Sequence, residues 1–202
     1  MFITMADDTS KDDTSKDDKA QGGGKAEQLF FKSRNVIITG EINNKLAERT
    51  VKQLLALAED NEDPINVYIS SPGGHVESGD MVHDMIKFIK PTVRTIGSGW
   101  VASAGALIFV GAAKENRFCL PNTRFLLHQP SGGIGGKVTD MQIQAGQIEK
   151  MRERFHKLFA EATGQTAAKI AKDTERDFWL DTKEAKAYGL LGKVITSASE
   201  LS

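Results

Sequence analysis

A chain of 202 residues with 26 basic and 27 acidic side chains carries a formal net charge of −1, so bulk electrostatics gives no reason for binding nucleic acid or an anionic membrane. The length suffices for one domain with a sizeable hydrophobic core, and the single cysteine excludes an internal disulfide. No apolar run approaches a membrane span, and the N-terminus has neither the basic nor the apolar segment of a secretory leader. The expectation is a soluble, cytoplasmic protein.

Residues 1–26 stand apart. DDTSKDDTSKDDK repeats a five-residue polar unit and is followed by Gly22, Gly23 and Gly24. Such a segment buries too little apolar surface to offset its chain entropy, and it reads as a disordered tail or a propeptide ahead of a domain over residues 27–202. From Leu29 strands alternate with helices. NVIITG, Asn35 to Gly40, is a β-branched run stopped by glycine. Asn44 to Asp60 follows with Leu46, Val51, Leu54, Leu55 and Ala58 at helical spacing. INVYISS is a second strand, broken by SPGG. Val82, Met85, Ile86 and Ile89 then line a helix that Pro91 ends. VRTIGSG is a third strand, Ser103 to Ala113 an apolar helix, and RFCL and RFLLHQ two further strands, with Cys119 a small core residue. SGGIGGK, Ser131 to Lys137, is a glycine-rich loop without a phosphate-binding pattern. Thr139 and Gln142 form a capping-box pattern opening a helix to about Thr163, ended by Gly164. Its apolar stripe is Ile148, Met151, Phe155, Leu158 and Phe159, and its reach of roughly 36 Å is enough for part of it to meet another subunit. Strands separated by helices of this length imply an α/β fold with a mostly parallel sheet.

Chemistry concentrates around SGWVASAGAL, Ser98 to Leu107, where Ser103 stands among residues too small to shield it. Small residues allow either close packing of a helix on a strand or the approach of a substrate carbonyl to a nucleophilic serine. A serine needs a base, itself oriented by a third group. His83 and His156 read as helix-surface residues, and His75 follows SPGG at a helix entry. His128 ends an apolar strand just before a loop, where α/β folds place reactive side chains. The glycines of SPGG and the helix start at Ser103 both offer unobstructed backbone N–H groups for an oxyanion.

SPGG, GWVASAGA, LPNTRFLLHQP and DTERDFW, in this order and spacing, resemble the Clp protease proteolytic subunit family of serine peptidases. The similarity runs from about Asn35 to about Ile195. It implies a crotonase-like fold of repeated ββα units with a protruding handle helix, here the one from Thr139. It makes Ser103 the nucleophile, His128 the base and Asp177 the orienting acid, with the backbone N–H groups of Gly74 and Ala104 as oxyanion donors. Asp173, Glu175 and Asp181 are nearby acids that composition leaves open. The same resemblance implies an endopeptidase for unfolded polypeptides, acting inside stacked seven-membered rings. Arg176 would contact the opposite ring, and an AAA+ ATPase unfoldase would deliver substrate. No cofactor or metal is implied, and ATP would bind the partner because this chain has no P-loop. The segment before the first strand, together with His75, Glu77 and Trp100, departs from the family's common pattern. That leaves room for a second subunit of the same type in the ring. Two other readings stand beside this one: a catalytically silent paralogue completing a partner's ring, and a crotonase-fold acyl-CoA enzyme.

Overall fold

The structure, a computed structural model, describes residues 15–130 and 135–201, with side chains from residue 24 onward. It divides into two units between Arg34 and Asn35. The first contains helix α1, Ser15–Lys32. This departs from the expected disorder up to residue 26. The stretch KAEQL within it consists of strong helix formers, which offset the roughly 1 kcal/mol that each glycine of the triplet costs a helix. Ser33 closes α1 by donating its hydroxyl to the Phe30 carbonyl at 2.6 Å. Residues 1–14, with most of the polar repeat, lie outside the described residues, as do residues 131–134 of the glycine-rich loop.

The second unit is built on a sheet whose strands are β1 (Asn35–Thr39), β2 (Ile65–Ser71), β3 (Val93–Ala102), β4 (Arg117–Cys119), β5 (Arg124–Leu127), β6 (Phe178–Leu180) and β7 (Lys193–Val194). Strands β1, β2 and β3 run parallel and side by side, joined by α2 (Asn44–Asp60) and α3 (Val76–Phe88). These are the crossovers that the alternating pattern predicts. Strand β3 has two partners. Its first half pairs β4 and its second half pairs β5, both parallel, and Gly99 between the halves adopts φ 66° to make the turn. The last elements are α4 (Ala104–Phe109), α5 (Val138–Thr163), α6 (Ala167–Asp173) and α7 (Thr182–Tyr188). Strand β6 returns antiparallel on β5, and β7 lies parallel to β4.

The core is continuous from Val36 and Ile38 through Ile69, Val101 and Phe109 to Phe125 and Phe159. Arg117 is buried beneath it and donates to the carbonyls of Ala112, Val110, Ala162 and Leu190. It thereby satisfies chain ends that α4 and α5 would otherwise leave unpaired, while burial pushes its own pKa down to about 10. Cys119 is buried as expected, its thiol pushed up to about 11 by burial.

Three expectations need correction. The helix after Ser103 stops at Phe109 rather than Ala113, because Val110 and Gly111 turn the chain back toward β4. Thr139 does not cap α5: Lys137 holds that position without a side-chain cap, and a true capping box forms instead between Asp181 and Glu184 at the start of α7. His83 is not a surface residue but 4% exposed, because its face of α3 is covered in the fold. Helix α5 has the predicted reach, 26 residues or about 39 Å. Its buried side chains, Phe155, Phe159 and Thr163, all lie in the last third, and Val138 and Ile143 near its start are 67% and 56% exposed.

Candidate active site

Ser103 sits between the end of β3 and the start of α4 with φ 53° and ψ −120°. A non-glycine residue in this region stores on the order of 1–3 kcal/mol of strain, as in the strand-to-helix elbow that exposes a nucleophilic serine. Its backbone N–H donates to the Leu126 carbonyl at 2.9 Å, and its carbonyl accepts the first bond of α4, from Leu107. The elbow closes because Gly73 lies against it. A Cβ on Gly73 would stand 2.6 Å from Ser103 Cβ and 2.9 Å from the Ala102 carbonyl. Ser71 braces the same turn, donating to the Gly40 carbonyl and accepting from the Gly73 N–H.

Gly74 continues this cradle. Its φ of 144° and a would-be Cβ 2.3 Å from the Ile42 carbonyl exclude any side chain there. On either side the chain is tied down, with Ile42 donating to the Gly73 carbonyl and His75 donating to that of Ile42. Among the described residues the N–H groups of Gly74 and Ala104 have no hydrogen-bond partner. Both are therefore available to an incoming oxyanion.

His128 follows β5 directly. Phe125 faces Leu180, Leu126 faces Trp179 and Leu127 faces Phe178 across the β5–β6 pair, so His128 follows the last paired residue of β5 and Asp177 precedes that of β6. The parallel β3–β5 register, with Ala102 beside Leu126, brings Ser103 to the same sheet edge. Two of the neighbouring acids use their carboxylates elsewhere, and the third is held through its backbone. Asp173 accepts from Lys169 and the Tyr188 hydroxyl, Asp181 caps α7, and Glu175 is tied through its carbonyl to Gln129 Nε2 at 3.1 Å. Asp177 and Arg176 are both exposed. Among the described residues no hydrogen bond joins Ser103, His128 and Asp177 to one another. Ser103, His128 and Asp177 thus adjoin the ends of neighbouring strands β3, β5 and β6, Gly74 follows the glycine packed against Ser103, Ala104 follows Ser103 itself, and Arg176 lies beside Asp177 on the surface. Sequence reasoning did not single out Gly73 or Ser71; the signal available was their place beside the turn glycine.

Comparison with known proteins agrees with this architecture. The family model described as Clp protease matches residues 20–198. An ATP-dependent Clp protease proteolytic subunit of Paracoccus denitrificans is 72% identical over 166 residues, covering 82% of this chain and 83% of the relative. The ATP-dependent Clp protease proteolytic subunit 3 of Rhizobium meliloti is 59% identical over 179 residues, 89% of this chain and 92% of its own. The solved structure of ClpP1 from Listeria monocytogenes superposes with a TM-score of 0.80 at 52% identity, covering 88% of this chain and 99% of that one. With this match spanning nearly its whole length, the chain belongs to the Clp protease family, the serine peptidases that its motifs resemble.

Proposed function

We propose that this chain is the proteolytic subunit of an ATP-dependent Clp protease, with Ser103, His128 and Asp177 as its catalytic residues. The observation that supports the assignment is the β5–β6 register, whose last pair, Leu127 with Phe178, is followed by His128 and preceded by Asp177, together with the strained elbow at Ser103. In this reading His128 takes the hydroxyl proton as Ser103 Oγ attacks the peptide carbonyl carbon, and Asp177 stabilises the imidazolium. The N–H groups of Gly74 and Ala104 hold the tetrahedral oxyanion, a contribution worth roughly 10²–10³ in rate per donor. Collapse breaks the C–N bond, the amine leaves with the proton from His128, and water then releases the acyl group from Ser103 by the same steps reversed.

Substrates are unfolded polypeptides, delivered by an AAA+ ATPase into a cytoplasmic chamber of two stacked heptameric rings. Helix α5 is the handle between rings, and Arg176 makes an inter-ring ion pair. Residues 1–26 are a leader removed on maturation. A second reading, a silent subunit completing a partner's ring, is favoured by one observation: in the single chain the three catalytic side chains are not hydrogen-bonded to one another.

A fluorophosphonate probe read by peptide mass spectrometry decides between the two. Modification of Ser103 in the wild type, abolished by His128→Ala, is expected for the peptidase, and the same spectra should place the mature N-terminus between Gly24 and Leu29. An unmodified Ser103, both alone and beside a second Clp-type subunit, establishes the silent reading instead.

A further inference from the structure

Helices α3 and α5 come from distant parts of the chain, and among the described residues one polar contact joins them. Arg154 Nη2 on α5 donates to Asp80 Oδ2 on α3. A turn further along α3 a half-open pocket of about 440 Å³ is lined by His83 and Ile86 of α3 and by Leu158 and Ala162 of α5, together with the segments around Thr92 and Ala112. The pair is therefore a polar tether beside this pocket.

What the tether holds lies close to the reacting groups. Gly79, immediately before Asp80, presses on the first turn of α4, where a Cβ would stand 3.2 Å from Ala104 Cβ and 3.3 Å from the Ala104 carbonyl. The N-terminus of α3 is bonded back to His75, one residue beyond Gly74, through the Gly79 N–H at 3.1 Å. Asp80 thus stands one residue from a turn that packs on Ala104 and is bonded to the residue after Gly74. Its carboxyl is 16% exposed and Arg154 is 54% exposed. Burial pushes the Asp80 pKa up, opposed by the hydrogen bond and charge of Arg154, with Asp84 and His83 of α3 as the other charged neighbours. An exposed ion pair contributes little to stability, but a mostly buried carboxylate without its guanidinium must move or take up a proton. Either change alters the seating of α3.

We infer that Asp80 and Arg154 form a positioning pair through which the seating of α5 sets the placement of the Gly74 and Ala104 N–H groups. The inference rests on the peptidase reading of the site and adds to it a route from the exposed helix to the oxyanion position.

The test uses the full-length assembled protein with Asp80→Asn, Arg154→Gln, the double variant and Arg154→Lys. It measures kcat and KM on a short fluorogenic peptide and deuterium exchange over residues 74–80. Each neutralising variant should lower kcat about three- to ten-fold with KM unchanged, and exchange over 74–80 should quicken. The double variant should be no worse than either single one, since a pair can be broken only once, and Arg154→Lys should stay within about two-fold of wild type. Unchanged kcat and exchange in the single variants, or losses that multiply in the double, overturn the inference. A wild type that neither cleaves peptide nor takes the probe at Ser103 defeats the peptidase reading separately, and the exchange measurements still decide whether the pair seats α3.

Discussion

Ser103 pays for its exposure in backbone strain, and Gly73 is the residue that makes the strained turn possible. The φ of 97° at Gly73 and the 2.6 Å approach to Ser103 Cβ act together, so adding one methyl group combines left-handed strain with overpacking. Gly73→Ala is expected to cost about 2–4 kcal/mol and to abolish labelling of Ser103. Thermal denaturation and the fluorophosphonate assay measure the two effects on the same sample. Retained labelling at wild-type stability would show that the turn yields and that the cradle is not rigid. Ser71 supports the same geometry from behind, and its two hydrogen bonds explain why a buried hydroxyl is stable there.

Among the elements, α3 carries the clearest electrostatic signature. Burial pushes the pKa of His83 down, against the pull of Asp84, whose Oδ1 accepts from Nδ1 at 2.9 Å. A buried imidazole held neutral binds fewer protons when native than when unfolded. Stability is therefore complete above the ordinary histidine value of about 6.5 and declines as pH falls below it. Denaturation midpoints at about pH 7.5 and about pH 5.5 should differ less in His83→Phe than in wild type, and equal differences would refute the assignment. His156 on α5, shifted the same way by burial and by Arg152, accounts for a residual slope. The burial of His83 was not legible in the sequence, because helical periodicity identifies one apolar face and α3 is covered on more than one. Strands β1 to β3 and helices α2 and α3 were legible, since each is a long β-branched or periodic run with a glycine or proline stop. Strands β6 and β7, of three and two residues, were not: runs that short carry no period, and β6 forms only because β5 offers it a partner. The same gap explains the site. Ser103 and His128 stood out from their neighbours, but the choice of Asp177 among four acids required the family pattern. Only the fold shows Asp173 and Asp181 occupied elsewhere.

At the scale of the whole molecule, the outer part of α5 exposes two large apolar side chains among polar ones. Val138 and Ile143 project from it, and a surface substitution there should leave chain stability within about 0.5 kcal/mol. If this helix is the handle between rings, Ile143→Asp should reduce the native mass from two rings to one while the melting temperature holds. Arg176→Ala should weaken the same assembly and slow peptide cleavage with it. Unchanged mass and rate in both variants would refute the interlocking role. The antiparallel β5–β6 ladder has a genetic consequence as well. Residue numbers run in opposite directions along its two strands, so an in-frame loss of the single codon for Phe178, with Trp179 and Leu180 held in place, steps the preceding chain by one position. Asp177 would then stand opposite Leu127, and Arg176 would take the position next to the ladder that Asp177 holds in the proposed site. A lesion of one codon in a three-residue strand, touching none of the three proposed catalytic side chains, would exchange a carboxylate for a guanidinium beside the proposed base. It would read out as a charge reversal.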